Sequence, residues 1–104
     1  FPNYNVMGVA KAALEATVRY LSNDLGPKNI RVNAISAGPV KTLSASGISG
    51  FTQILQHYRE RAPLHRTVES SEIAEAAIFL LSAAGQAVTA DVLFVDAGFH
   101  STGM

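Results

Sequence analysis

The chain has 104 residues, 48% of them hydrophobic, with eight Lys and Arg against eight Asp and Glu and no cysteine. That apolar content excludes a disordered segment, the scattered and balanced charge leaves no footprint for nucleic acid or an anionic membrane, and disulfide and thiolate chemistry are ruled out. No apolar run approaches the roughly 20 residues of a membrane span, no signal peptide opens the chain, and the isolated His57, His65 and His100 lack metal-site spacing. The expectation is a cytoplasmic protein with neither metal, nucleic acid nor membrane as partner.

In chain order, Val6, Val9, Ala10, Ala13, Leu14, Thr17, Val18 and Leu21 recur at three-to-four-residue steps and predict a helix from Tyr4 to about Leu25. Asn3 or Asn5 is the expected cap, with Gly26 as a left-handed stop before Pro27. The segment 29–36, with Ile30, Val32, Ala34 and Ile35, predicts a short strand buried on both faces. Within it Arg31 is out of place, and its head is expected at an edge or beside an acid. A small, polar loop follows from Ala37. Phe51, Ile54, Leu55 and Tyr58 share one face of a helix expected over Ser49 to about Arg61, closed by Pro63. The next helix, about Ser70 to Ala83, has Glu72 in its first turn and Ile73, Ala77, Ile78, Leu80 and Leu81 as its buried set. Val92–Val95 predicts a second strand.

Two strands apolar on both faces need neighbours beside, above and below them. Strand, helix, helix, strand reads as a right-handed parallel crossover in an α/β sheet. No glycine-rich pyrophosphate turn precedes it. The expected architecture is therefore the C-terminal part of a larger domain.

Several separated motifs, in order and spacing, carry a resemblance. The run YNVMGVAKAALEATVRYLSNDLGPKNIRVNAISAGPVKT resembles the short-chain dehydrogenase/reductase superfamily from its active-site helix onward. Most of that superfamily places its tyrosine four residues before the lysine. Here Met7 stands there, and Tyr4 lies seven residues before Lys11. Tyr-x6-Lys with Met between them, ISAGPVKTLSASGI and the ending FVDAGFH resemble the divergent branch, the bacterial-type enoyl-acyl-carrier-protein reductases. The implied fold is α/β, the C-terminal portion of a doubly wound, Rossmann-like parallel sheet. Residues 1–104 would form part of a dinucleotide-binding domain whose N-terminal half lies outside this sequence, together with a second active-site tyrosine.

Helix geometry accommodates the spacing. Seven residues return to within about 20° of two full turns and separate the two side chains by ~10.5 Å along the axis, against ~6 Å for four. The longer gap leaves room for a substrate carbonyl beyond the nicotinamide ribose, as reduction of a conjugated C=C bond requires. Taken alone, Tyr and Lys at this spacing occur by chance in many helices; the agreement of the other motifs gives them weight.

The resemblance implies Tyr4 and Lys11 as catalytic residues, with Lys11 also holding the cofactor ribose. Gly38, Pro39, Val40, Thr42, Leu43 and Ser44 follow as cofactor contacts: Gly38 for close backbone approach, Pro39 for the turn, Val40's main chain for the carboxamide and Thr42 toward the pyrophosphate. Tyr4, Met7, Ala45, Ile48 and Phe51 are the implied substrate contacts, in a lid suited to order over cofactor and acyl chain. For Ile48, Phe51 and Ile54, simple packing of the lid helix stays open. The implied reaction is reduction of the trans-2 double bond of enoyl-acyl-carrier-protein thioesters in fatty acid elongation, with NADH as cofactor and NADPH open. The implied partners are acyl-carrier protein and identical subunits in a tetramer. Alternatives are a short-chain reductase of ketones or alcohols, or a non-catalytic fragment serving assembly.

Two departures from the family pattern stand out. Ala90 and Asp91 occupy places usually held by Gly and Glu before the last strand; if that backbone needs a positive φ, Ala90 carries strain of order 1 kcal/mol. Glu69 precedes the third helix where Ser, Thr or Asp would cap better.

Overall fold

The computed structural model describes residues 4–42, 47 and 49–102. Among the described residues three α-helices, α1 (Asn5–Leu25), α2 (Phe51–Arg61) and α3 (Ser70–Leu81), accompany two strands, β1 (Ala34–Ala37) and β2 (Val92–Val95). The strands hydrogen-bond to each other. Ala34 N–H donates to Asp91 O at 2.9 Å and Gly38 N–H to Val95 O at 3.0 Å. The offset between partners is the same at both ends, so the pairing is parallel. The chain divides into two compact units, residues 1–34 with 80–93 and residues 35–79 with 94–104.

In the first unit α1 starts one residue after Tyr4, which occupies the cap position without a side-chain cap bond. Asn5 is already helical, so it does not cap. At the other end Gly26 stays right-handed (φ −54°), because Pro27 starts a 3₁₀ turn, Gly26–Lys28. The left-handed residue is Asn29 (φ 59°), a type that tolerates that region. Val18 and Ser22 are the buried residues of α1, and the Ser22 hydroxyl lies 2.6 Å from Val18 O and 3.0 Å from Val32 O. Most of the apolar stripe is bare: Val6 is 83% exposed and Val9 73%.

The first strand begins later than the apolar pattern predicts. Residues 31–33 are held largely by side chains, with one backbone bond, from Ala90 N–H to Val32 O at 2.8 Å, in place of a regular ladder. Asn33 Nδ2 donates to Val88 O at 2.9 Å while its Oδ1 accepts Asp91 N–H at 3.1 Å. Arg31 also donates to Val88 O at 3.1 Å, so its head finds a carbonyl rather than an acid. Opposite them Ala90 turns left-handed (φ 63°) and interrupts regular pairing. Both strands are half-buried, with Phe94 exposed, rather than buried on both faces, because two strands leave their outer edges and faces uncovered.

The second unit packs around Tyr58, Ala62, Val68 and Ala97, with Val40, Ile73 and Phe99 against them. Phe51, Ile54 and Leu55 are half-buried along the same face of α2 as Tyr58, as predicted. Gly50, left-handed at φ 76°, starts α2, and extended Ala62 ends it before Pro63. At the start of α3, Glu72 corrects the weak cap. Its Oε1 accepts Glu69 N–H at 2.9 Å, the returning half of a capping box. The same carboxylate forms a two-pronged pair with Arg66, both contacts at 2.7 Å. Arg66 and the Glu69 amide hold the Glu72 carboxyl down at about 2. Leu80 is buried, whereas Ile78 and Leu81, expected in the core, are 59% and 84% exposed.

Candidate active site

Tyr4 caps the start of α1 and Lys11 follows seven residues later, in the second turn of the helix. Tyr4 is 42% exposed and Met7, between them, 47%. Lys11 is exposed and has no hydrogen-bond or ion-pair partner among the described residues. Gly8 N–H donates to Tyr4 O at 2.7 Å, closing the first turn and fixing the backbone that carries the tyrosine. A free ammonium and an accessible phenol near the start of one helix can bind vicinal hydroxyls and donate to an oxyanion, respectively.

The turn after β1 lies in the second unit. Gly38 continues the pairing to Val95, and Val40's half-buried side chain joins the core around Tyr58. The main-chain N–H and C=O of Val40 take no partner among the described residues. A turn anchored by its side chain, with a free donor and acceptor at the carboxyl end of a parallel strand, fits a flat amide such as a nicotinamide carboxamide. Thr42 is exposed, and Phe51 is half-buried at the first turn of α2. Leu43, Ser44, Ala45 and Ile48, the remaining predicted contacts, lie outside the described residues.

Tyr58 is the residue that sequence reasoning missed. It served there only as one apolar position on a helix face. Its ring is 5% exposed and stacks on Phe99 with centroids 4.4 Å apart. Its hydroxyl donates a short hydrogen bond to Asp96 O. Burial, then the Asp96 charge, pushes its pKa far above that of an ordinary tyrosine, so it remains a neutral donor. The Asp96 carboxylate in turn accepts Gly98 N–H at 3.0 Å and His100 N–H at 2.9 Å, and meets His100 Nδ1 at 2.9 Å. Phe94 stacks on that imidazole at 3.9 Å. No single-sequence signal links a tyrosine to a carbonyl 38 residues away. Among the described residues no group of three or more His, Asp or Glu forms a metal cluster, and no helix is long and apolar enough to cross a membrane.

A family model described as Enoyl-(Acyl carrier protein) reductase matches residues 1–100. The chain belongs to this family. It is 60% identical over 99 residues to the NADPH-named enoyl-[acyl-carrier-protein] reductase FabI of Staphylococcus aureus MRSA252, covering 95% of this chain. The NADH-named FabI of Bacillus subtilis 168 is 58% identical over 101 residues, 97% of this chain. The chain spans 39% of the length of each of these two relatives. The crystal structure of the Bacillus cereus enoyl-acyl carrier protein reductase with NADP⁺ and an indole naphthyridinone superposes with a TM-score of 0.96 at 55% identity. That match covers 100% of this chain and 40% of that one. At this likeness the α/β, Rossmann-like fold expected from the motifs is established.

Proposed function

We propose that this chain is the C-terminal part of the dinucleotide-binding domain of an enoyl-acyl-carrier-protein reductase, carrying its Tyr–Lys pair and nicotinamide turn. The overall reaction adds hydride and a proton across the trans-2 double bond of an enoyl thioester, giving the saturated thioester and oxidised nicotinamide. The observation that carries the reading is the family match across residues 1–100, with Tyr4 and Lys11 both accessible at the N-terminal end of α1.

The reduced nicotinamide, when bound, supplies the hydride to the β-carbon. Tyr4 donates a hydrogen bond to the thioester oxygen as negative charge gathers there, an interaction stronger in the transition state than in the substrate. Lys11 binds the ribose hydroxyls, and its positive charge favours the developing enolate. Gly38, Pro39 and Val40 orient the carboxamide, with Thr42, Leu43 and Ser44 toward the phosphates. Met7, Ala45, Ile48 and Phe51 border the acyl chain.

NADH is the proposed cofactor, with NADPH equally compatible with these residues. Two relatives of nearly equal identity to this chain are named for different nicotinamides, so that choice does not follow from overall likeness. Acyl-carrier protein is the proposed donor of substrate, the cytoplasm the proposed compartment, and a homotetramer the proposed assembly. The bare apolar stripe on α1 supports further covering by protein, and its small residues Ala10, Ala12 and Ala13 suit a closely approaching helix.

The test is nicotinamide oxidation by the full-length protein with crotonyl and acetoacetyl thioesters. Crotonyl thioester should be consumed and acetoacetyl thioester left intact. Reduction of the keto substrate alone would transfer the chain to the ketone reductases.

A further inference from the structure

The absence of a side chain at Gly38 has a cause inside the protein. An added Cβ would run into the Tyr58 hydroxyl and lie 2.8 Å from ring carbon Cζ and 3.2 Å from Cε1. Real Cβ atoms essentially never make the two closest of these contacts, and the ring is not free to swing aside: it is stacked on Phe99, 5% exposed and tethered through its hydroxyl to Asp96 O. Gly38 is not in the left-handed region, so backbone conformation does not demand glycine there. Val40, two residues further along the turn, packs against the buried cluster to which Tyr58 belongs. Tyr58 therefore constrains the turn at Gly38 by contact, and the cluster around it holds the turn at Val40.

We infer that Tyr58 is a positioning residue for the nicotinamide, holding the Gly38–Pro39–Val40 turn in binding register from its seat on α2. It touches neither substrate nor cofactor and acts through the turn. The inference rests on the nicotinamide reading of that turn. It differs from the resemblance-based reading of Gly38, in which the missing side chain makes room for the cofactor itself. The two accounts differ in where the penalty of Gly38→Ala originates. If it originates in Tyr58, shrinking Tyr58 relieves it; if in the cofactor, Tyr58 is irrelevant.

The experiment is a double-mutant cycle on the full-length protein. It uses Gly38→Ala, Tyr58→Leu and their combination, with NADH and NADPH dissociation constants from nicotinamide fluorescence and urea unfolding without cofactor. Gly38→Ala in the wild-type background should weaken cofactor binding about tenfold or more, equivalent to ~1.4 kcal/mol. In the Tyr58→Leu background the same change should cost about twofold or less, and it should also shift the cofactor-free urea midpoint less than it does in wild type. The KM for crotonyl thioester should move less than the cofactor constant. If Tyr58→Leu does not fold, Tyr58→Phe takes its place: it removes the atom closest to the added Cβ, and the Gly38→Ala penalty should fall partway. An equal penalty in all Tyr58 backgrounds overturns the inference while leaving the proposed function standing. A wild-type protein that binds neither nicotinamide overturns both.

Discussion

Ala90 offers a sharp energetic test of the backbone. It sits at φ 63° in the turn before β2, with its N–H donating to Val32 O at 2.8 Å and the next N–H, of Asp91, donating to Asn33 Oδ1 at 3.1 Å, so the backbone on either side of its Cα is tethered. An L-residue other than glycine in that region carries a penalty of about 1–2 kcal/mol. Glycine removes the penalty but gives back ~0.5–1 kcal/mol in backbone entropy. Because Ala90 is exposed, its methyl contributes little burial that the change would forfeit. Ala90→Gly should therefore stabilise the protein by about 0.7 kcal/mol, the middle of that difference, which raises a urea midpoint by roughly 0.2–0.7 M at the usual slopes. Ala97 is the internal control. It has a similar φ of 56°, but it is 8% exposed and belongs to the core around Tyr58. Removing its methyl costs about 0.8 kcal/mol of burial together with the cavity left behind. Ala97→Gly should thus show no gain, or a loss. Equilibrium urea unfolding of both variants reads the two outcomes directly. An unchanged or lowered midpoint for Ala90→Gly, or a gain at Ala97 equal to that at Ala90, would refute the strain argument.

Lys11→Ala should weaken nicotinamide binding more than Tyr4→Phe does, since in its proposed role the lysine would meet the cofactor in every state; equal losses in a direct titration would undo the assignment. Tyr4→Phe should instead cost roughly 10²–10³ in kcat for crotonyl thioester, the scale of a lost oxyanion donor, and a change under about threefold would remove it from the chemistry. Glu72 has a folded-state pKa depressed to about 2 from 4.5, so its contribution to stability is present above 4.5 and is lost as pH falls toward 2. The gap in urea midpoint between wild type and Glu72→Gln should accordingly close over that window, and a gap independent of pH would contradict the pairing with Arg66. Ala13→Glu, on an exposed position of α1, should lower oligomer size and activity together in sedimentation and assay, and a fully active wild-type monomer would end the tetramer proposal.

The helices were legible because their signals are local. Three-to-four-residue periodicity located α1 and α2 to within two residues, and α3 starts where the pattern begins. Most of what went astray depended on partners remote in the chain. Ile30 and Val32 read as strand, yet Asn33 and Arg31 spend their side chains on Val88, and the positive φ of Ala90 breaks the pairing. Gly26 followed by Pro27 read as a left-handed stop, but the proline extends the helix into a 3₁₀ turn and hands that conformation to Asn29. Ile78 and Leu81 fit the apolar pattern of α3, and periodicity alone cannot say whether a protein surface covers them. The family pattern did locate one defect: the place where Ala90 replaces the usual Gly is indeed a positive-φ turn. At the proposed site, spacing and resemblance are what single out Tyr4 and Lys11. The constraint on Gly38 did not, because the ring that imposes it lies 20 residues away, on α2.

The central claim is that the Tyr4–Lys11 helix serves addition of hydride to a carbon–carbon double bond rather than to a carbonyl. It is tested most directly by following deuterium from the reduced nicotinamide into product made by the full-length protein from crotonyl thioester. The account predicts saturated butyryl thioester with the label on the β-carbon, and formation of that product strongly reduced in Tyr4→Phe. No butyryl product, or label transferred only to the hydroxyl-bearing carbon formed from acetoacetyl thioester, would contradict it.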